Sequence, residues 1–175
     1  GIYDQLEGGI ARYSVDEKWI IPHFEKMLYD NIQYISLLTK FYQKTKKEYF
    51  KKKLIQTINF INKEFKNEES LYGSAYDADS EGIEGKYYVW SYEELKKILE
   101  NDFALFEKKY EISKSGNFEG KNILVESKNE LKEEEQNKIA KIEDKLIQER
   151  KNRVKPFFDD KSQTDLNAFI LDTLI

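Results

Sequence analysis

Four carboxylates fall in the stretch Asp77-Ala78-Asp79-Ser80-Glu81-Gly82-Ile83-Glu84, and Tyr87, Tyr88 and Trp90 follow almost at once. Alternating carboxylates that meet a glycine are how a calcium loop begins. An EF-hand loop takes ligands from its first, third and fifth positions, glycine at the sixth and a bidentate glutamate at the twelfth. Counted from Asp77, the first, third and sixth positions conform and Glu81 stands at the fifth, but the twelfth is Tyr88. The flanks also read as strands, so the EF-hand reading fails. An ion held in some other geometry ranks below a plain acidic turn, and no metal is expected.

Carboxylates beside tyrosine and tryptophan suit a different ligand. Sugar hydroxyls are oriented by carboxylates and amides, and the apolar faces of pyranose rings pack on aromatic side chains. Two carboxylates at the right separation also perform acid–base work on a glycosidic bond. The plainer alternative is a solvated acidic turn whose aromatics belong to the core. His23 is the only histidine. It follows Pro22, where a helix is expected to begin with Lys26 and Asp30 on nearly the same face. There it is either a general base oriented by a carboxylate or a residue making one structural hydrogen bond. Arg12 either clamps an anionic or hydroxyl-rich ligand or bridges loops, and Trp19 poses the same choice. One histidine and no cysteine leave zinc only carboxylates as further ligands.

The elements that must position these groups follow from periodicity. Phe24, Met27, Leu28, Ile32, Ile35, Leu38 and Phe41 recur at threes and fours, which predicts an amphipathic helix after Pro22. Thr45-Lys46-Lys47-Glu48 has the form of a capping box opening a second helix, with Phe50, Leu54, Ile58, Ile61 and Phe65 buried. Together they make an antiparallel helical hairpin. Leu71–Tyr76 and Lys86–Trp90 are expected as two strands of a small hairpin around the acidic loop. Ser91-Tyr92-Glu93-Glu94 caps a helix running to Leu99. Gly116–Gly120, which contains Asn117 and Glu119, is a turn before a short strand over Asn122–Val125. Ser127-Lys128-Asn129-Glu130 is expected to cap a highly charged helix to about Arg153, with a narrow apolar face of Leu131, Ile139, Ile142 and Leu146. Pro156 ends it, Asp159 and Asp160 sit in a loop, and a last apolar helix starts near Thr164. The fold class is mainly α with a small β-hairpin insertion, and no fixed-period repeat occurs.

With 175 residues the chain is one domain's worth of sequence. Twenty-nine basic residues against 33 acidic, for a net charge of -4, argue against a dedicated nucleic-acid or anionic-membrane binder. No apolar run approaches membrane-spanning length and no signal peptide is visible, so no membrane partner is expected. The absence of cysteine excludes disulfide and thiolate chemistry within these residues and fits a reducing compartment; a cytoplasmic location is expected. Gly1 at the start and the apolar FILDTLI at the end suggest a piece of a longer protein.

Four strings carry a resemblance: YDQLEGGIARYSVDEKWIIPHFEKMLYDN, SAYDADSEGIEGKYYVW, GNFEGKNIL and RVKPFFDDKSQTDLNAF. In this order they resemble the thioredoxin domain-containing family that includes bacterial YyaL and spermatogenesis-associated protein 20. The resemblance covers essentially the whole chain. It implies the early part of a six-hairpin (α/α) toroid, similar to glycosidases and N-acylglucosamine 2-epimerases, without the family's thioredoxin-like domain. It implies that Arg12, Trp19, His23, Glu25, Asp77, Asp79, Glu81, Trp90, Asn117, Glu119, Asp159 and Asp160 converge on one cleft. Within that cleft His23, Asp77, Asp79, Glu81 and Glu119 are the catalytic candidates and the others the ligand-binding ones. A small sugar is the implied ligand, a thioredoxin-like domain the implied partner, and no cofactor is expected. Two departures stand out: Ala11 replaces a histidine of the relatives, and Leu166-Asn167-Ala168 replaces their Trp-Asn-Gly. The first favours an alternative in which the chain is a non-catalytic binding or scaffold module.

Overall fold

The computed structural model describes residues 1–175, and the chain is mainly α-helical. Three two-residue strands come first: β1 (Tyr13–Ser14), β2 (Pro22–His23) and β3 (Lys26–Met27). The helices α1 (Leu28–Thr45) and α2 (Glu48–Glu64) follow, then β4 (Ala75–Tyr76), β5 (Asp79–Ser80) and β6 (Ile83–Glu84). The remainder is α3 (Tyr92–Leu99), α4 (Phe103–Lys109), α5 (Glu133–Lys151), β7 (Phe158–Asp159) and α6 (Thr164–Leu174). All strand pairing is antiparallel: β1 with β2, β5 with β6, and a three-stranded sheet in the order β3-β4-β7. No helix is long and apolar enough to cross a membrane.

The predicted helical hairpin forms. Leu28, Ile32, Ile35 and Leu38 are buried along α1, while Phe41 stays largely exposed and stacks on Phe50 of α2. The stripe of α2 is rotated toward Lys53, Thr57, Phe60 and Ile61, with Leu54 and Ile58 packed at its edge. Two local expectations fail. The first helix does not start at Pro22, because residues 21–28 alternate in burial, with Pro22, Phe24, Lys26 and Leu28 inward. That is the period of extended chain, and His23 therefore lies in a strand. Thr45 makes no capping box either: its hydroxyl donates to the Phe41 carbonyl, and the N-cap of α2 is Lys47.

Leu71–Tyr76 and Lys86–Trp90 do not pair with each other. β4 lies between β3 and β7, and the acidic loop makes its own ribbon, β5 with β6. Residues 85–88 turn, and Trp90 pairs by a single bridge with Asn122 in place of the expected strand over 122–125. The Ser91 box forms as predicted, since the Ser91 hydroxyl accepts from Glu94 N and the Glu94 carboxylate accepts from Ser91 N. The charged helix begins at Glu133 instead of after Ser127, whose hydroxyl is spent on the Lys108 carbonyl. Helix α4 has no counterpart in the sequence reading.

Three apolar clusters result, the smallest formed by Phe24, Ala78, Val89 and Ile123, and two are larger. One joins α1, α2 and α6 to β4 through Leu28, Ile32, Phe65, Tyr76 and Ile170; the other joins α3, α4 and α5 through Trp90, Leu95, Phe106 and Leu146. Four asparagines splice irregular segments onto these clusters. In each case the side-chain oxygen accepts from, and its NH2 donates to, the backbone of one residue: Asn31 with Ile10, Asn117 with Ile123, Asn122 with Ser113, and Asn167 with Tyr72. The amide matches a peptide group in having both functions, so it replaces a strand partner where no strand runs. Gly9, with φ of 76°, makes room for this at Asn31, because an added Cβ would sit 2.5 Å from the Phe60 ring.

Asn122→Asp keeps the shape but presents an acceptor to the Ser113 carbonyl. It is expected to cost about 1–3 kcal/mol of unfolding free energy in urea denaturation at neutral pH. An unchanged midpoint would show that Asn122 does not act as a clamp.

Candidate functional site

Beneath the three-stranded sheet lies a buried charge network. The Asp4 carboxylate is 2.8 Å from Arg150 Nη1 and 2.9 Å from Lys26 Nζ, and Glu7 approaches Arg150 at 3.3 Å. The side chains of Arg150 and Lys26 are 2% and 3% exposed, so these charges are out of water. Burial by itself would raise the Asp4 carboxyl, but Arg150 and Lys26 outweigh it and hold the group well below the usual carboxylate range. Lys26 Nζ also lies 4.3 Å from the Phe60 ring centre and 4.9 Å from that of Tyr88. Arg153 stacks 3.8 Å from the Trp90 ring centre and donates to the Tyr87 and Val89 carbonyls and to Glu94. Tyr87, Tyr88 and Trp90 therefore cover buried cations and present no stacking platform to a sugar.

A cavity of about 40 Å³ adjoins this network, bordered by Ala11, Phe24, Lys26, Tyr88 and Arg150. It holds about one water molecule, far short of a pyranose. On the outward side of the sheet several of the polar groups singled out in the sequence gather. Lys26, Tyr76 and Phe158 pair across β3, β4 and β7 with their side chains turned inward. By alternation Glu25, Asp77, Asp159 and the exposed Phe157 lie on the opposite face. Arg12 Nη1 donates to Glu25 at 3.1 Å, and this bond raises the Arg12 pKa. Asp30 lies close by, and burial raises its pKa against the pull of Arg12. His23 stacks on Tyr13 with ring centres 4.8 Å apart. His23 Nδ1 and Asp30 Oδ2 are both buried without a hydrogen-bond partner.

The other sequence candidates are placed elsewhere. Trp90 is fully buried in the α3–α5 cluster. Asn117 is committed to the Ile123 backbone. Asp79 faces Glu84 across the acidic ribbon, Glu81 pairs with Lys86 at 2.7 Å, and all three carboxylates are exposed. Glu119 and Asp160 are exposed loop residues, and Trp19, 63% exposed, sits at a hairpin turn braced by Asp16. No three His, Asp or Glu side chains gather closely enough to hold a metal ion.

The sequence reading missed the buried network of Asp4, Glu7, Lys26 and Arg150, although two of its members leave a signal. Arg150 extends the buried stripe Ile139, Ile142, Leu146 at helical spacing, and Lys26 takes an inward position between Phe24 and Leu28. A charge on an apolar stripe requires a buried partner. Asp4 and Glu7 carry no comparable mark.

The segment from Tyr3 to Asn31 that supplies this network also carries the first of the four recognisable strings. Across 98% of this chain, human spermatogenesis-associated protein 20 is 28% identical. The chain is a homologue of that protein. The Mus musculus protein of the same name is 36% identical over 57% of the chain, and the Rattus norvegicus one is 32% identical over 67%. This homologue spans only 26%, 13% and 17% of the lengths of those three relatives. No protein-family model matches it.

Arg150→Met would leave Asp4 with one of its two cationic partners and is expected to cost roughly 3–5 kcal/mol. Because the Asp4 pKa is depressed in the fold, its contribution is complete above its unfolded pKa and is lost as pH falls. Stability between pH 5 and pH 2 should therefore fall less steeply in Arg150→Met than in the wild type, by urea denaturation at stepped pH. Parallel acid limbs would show that the pair carries no linkage.

Proposed function

We propose that this chain forms part of an (α/α) toroid and that the outward face of its three-stranded sheet binds a sugar-type ligand in the toroid's cleft. The carrying observation is the gathering of Arg12, His23, Glu25, Asp77 and Asp159 on one face with the rings of Tyr13 and Phe157. Charged hydrogen-bonding groups set among exposed aromatics suit a hydroxyl-rich ring. A thioredoxin-like domain elsewhere in a longer protein, in the cytoplasm, completes the reading.

Within this reading His23 is the proton-transfer residue of an epimerase or isomerase. Its unpartnered Nδ1 and its place beside Glu25 support that role over hydrolysis. A glycosidase would need two carboxylates flanking one bond, whereas of its candidates Asp77, Asp79, Glu81 and Glu119 only Asp77 lies on this face. The non-catalytic scaffold alternative is favoured by one observation, the openness of this face: none of the five main cavities is bordered by His23, Glu25 or Asp77.

Calorimetry of the intact protein against mono- and oligosaccharides is expected to find a ligand whose affinity drops about tenfold or more in Asp77→Asn. Solvent deuterium should enter that ligand beside its carbonyl in the wild type and not in His23→Ala. Binding without exchange would leave the scaffold reading. Silence toward every sugar would sink both the ligand and the reaction.

A further inference from the structure

A second concave site lies away from the residues of the outward face. Helix α2, the end of α4 and helix α5 enclose a groove of about 650 Å³ bordered by Tyr49, Lys52, Lys53, Lys109, Glu126 and Glu143. That volume is within the ordinary range for a small-molecule site, about 300–1,000 Å³.

The charges in it are incompletely matched. Lys53 is almost fully buried, yet its Nζ donates to the neutral Gln5 side chain at 2.8 Å, and its nearest carboxylate, Glu126, is 3.6 Å away. Glu126 is already shared with Lys109 at 3.0 Å. Lys53 Nζ leans instead on the Tyr3 ring, 4.1 Å from its centre. Glu143 accepts a 2.5 Å hydrogen bond from the Tyr110 hydroxyl but has no ion-pair partner. Burial lowers the Lys53 pKa and raises that of Glu143, although Lys52, Lys109 and Lys53 all oppose the second shift. One groove thus presents a buried ammonium that shares its only carboxylate with Lys109 and a largely buried carboxylate in no direct ion pair.

We propose that the groove binds a small zwitterion, an amino acid whose carboxylate meets Lys53 and Lys52 and whose ammonium meets Glu143. A simple anion would answer the lysines but press on Glu143, and a simple cation would do the reverse. A ligand with both charges completes both pairs, and charge-assisted hydrogen bonds in a partly desolvated groove are the strong kind. The half-exposed Tyr49 ring offers an apolar wall for the methylenes between the two charges.

The test is a calorimetric titration of the intact protein with glycine, 4-aminobutanoate and 6-aminohexanoate, which scan the separation of the charges. Butanoate and butylammonium are the singly charged controls. One amino acid is expected to saturate the protein about tenfold more tightly than either control, and to lose about that factor in Glu143→Gln and in Lys52→Met. Glu143→Gln removes a largely buried charge that lies in no direct ion pair and Lys52 is solvent-exposed, so neither loss can be blamed on unfolding when the melting temperature holds. Equal binding of butanoate, variants that bind as the wild type does, or no saturation by any of the three amino acids would each overturn the proposal.

Discussion

The buried Asp4 carboxylate, held between Arg150 and Lys26, is the interaction on which the rest of the architecture depends. It joins the N-terminal segment to α5 and to β3, and so ties the α3–α5 cluster to the cluster around α1, α2 and α6. Removing such charges from water is costly, and the cost is offset only when geometry is close and remaining donors find partners. Here two cations face Asp4, Glu7 takes a share of Arg150, and the rings of Phe60 and Tyr88 lie against Lys26. The network is directional where apolar contact is not, so it sets the register between the two halves.

That network also decides what the acidic segment can do. Arg150 and Arg153 draw in the carbonyls of the turn at residues 85–89, and the aromatics behind it close over the cations. With the rings turned inward, the carboxylates of the ribbon are left in water. Asp79 and Glu84 even stand opposite each other, a like-charge pairing tolerated because both are solvated. The far side of the neighbouring sheet instead carries Arg12, Glu25, Asp77 and Asp159, which come from three separate stretches of chain. Homology to spermatogenesis-associated protein 20 spans the stretches that build this sheet and the groups it carries outward.

The asparagine clamps solve the problem of holding short strands without long ladders. A two-residue strand makes few hydrogen bonds, so segments such as residues 113–123 need other partners for their backbone. An amide side chain supplies both donor and acceptor from a single anchored position. Asn117, which looked like a ligand contact, is spent in this way, and Asn167 ties α6 to the chain at Tyr72.

By itself the sequence determined the local and periodic features. The α1–α2 hairpin followed from spacings of three and four, the start of α3 from the reciprocal bonds of Ser91 and Glu94, and the last helix from its apolar run. Four ordered strings pointed to the relatives. Tertiary structure decided whatever depends on which face meets which partner. Residues 21–28 satisfy both a helical and an alternating pattern in part, and pairing with residues 13–14 and 75–76 selected the extended form, the first of these pairings placing His23 in a strand. Trp90 has the same type and neighbours whether it serves a ligand or a core, and only packing against Leu95 and Arg153 assigned it to the core. Buried ion pairs join residues as far apart as Asp4 and Arg150, and no local rule carries that distance, because a charge reveals its partner only once the chain has closed around both.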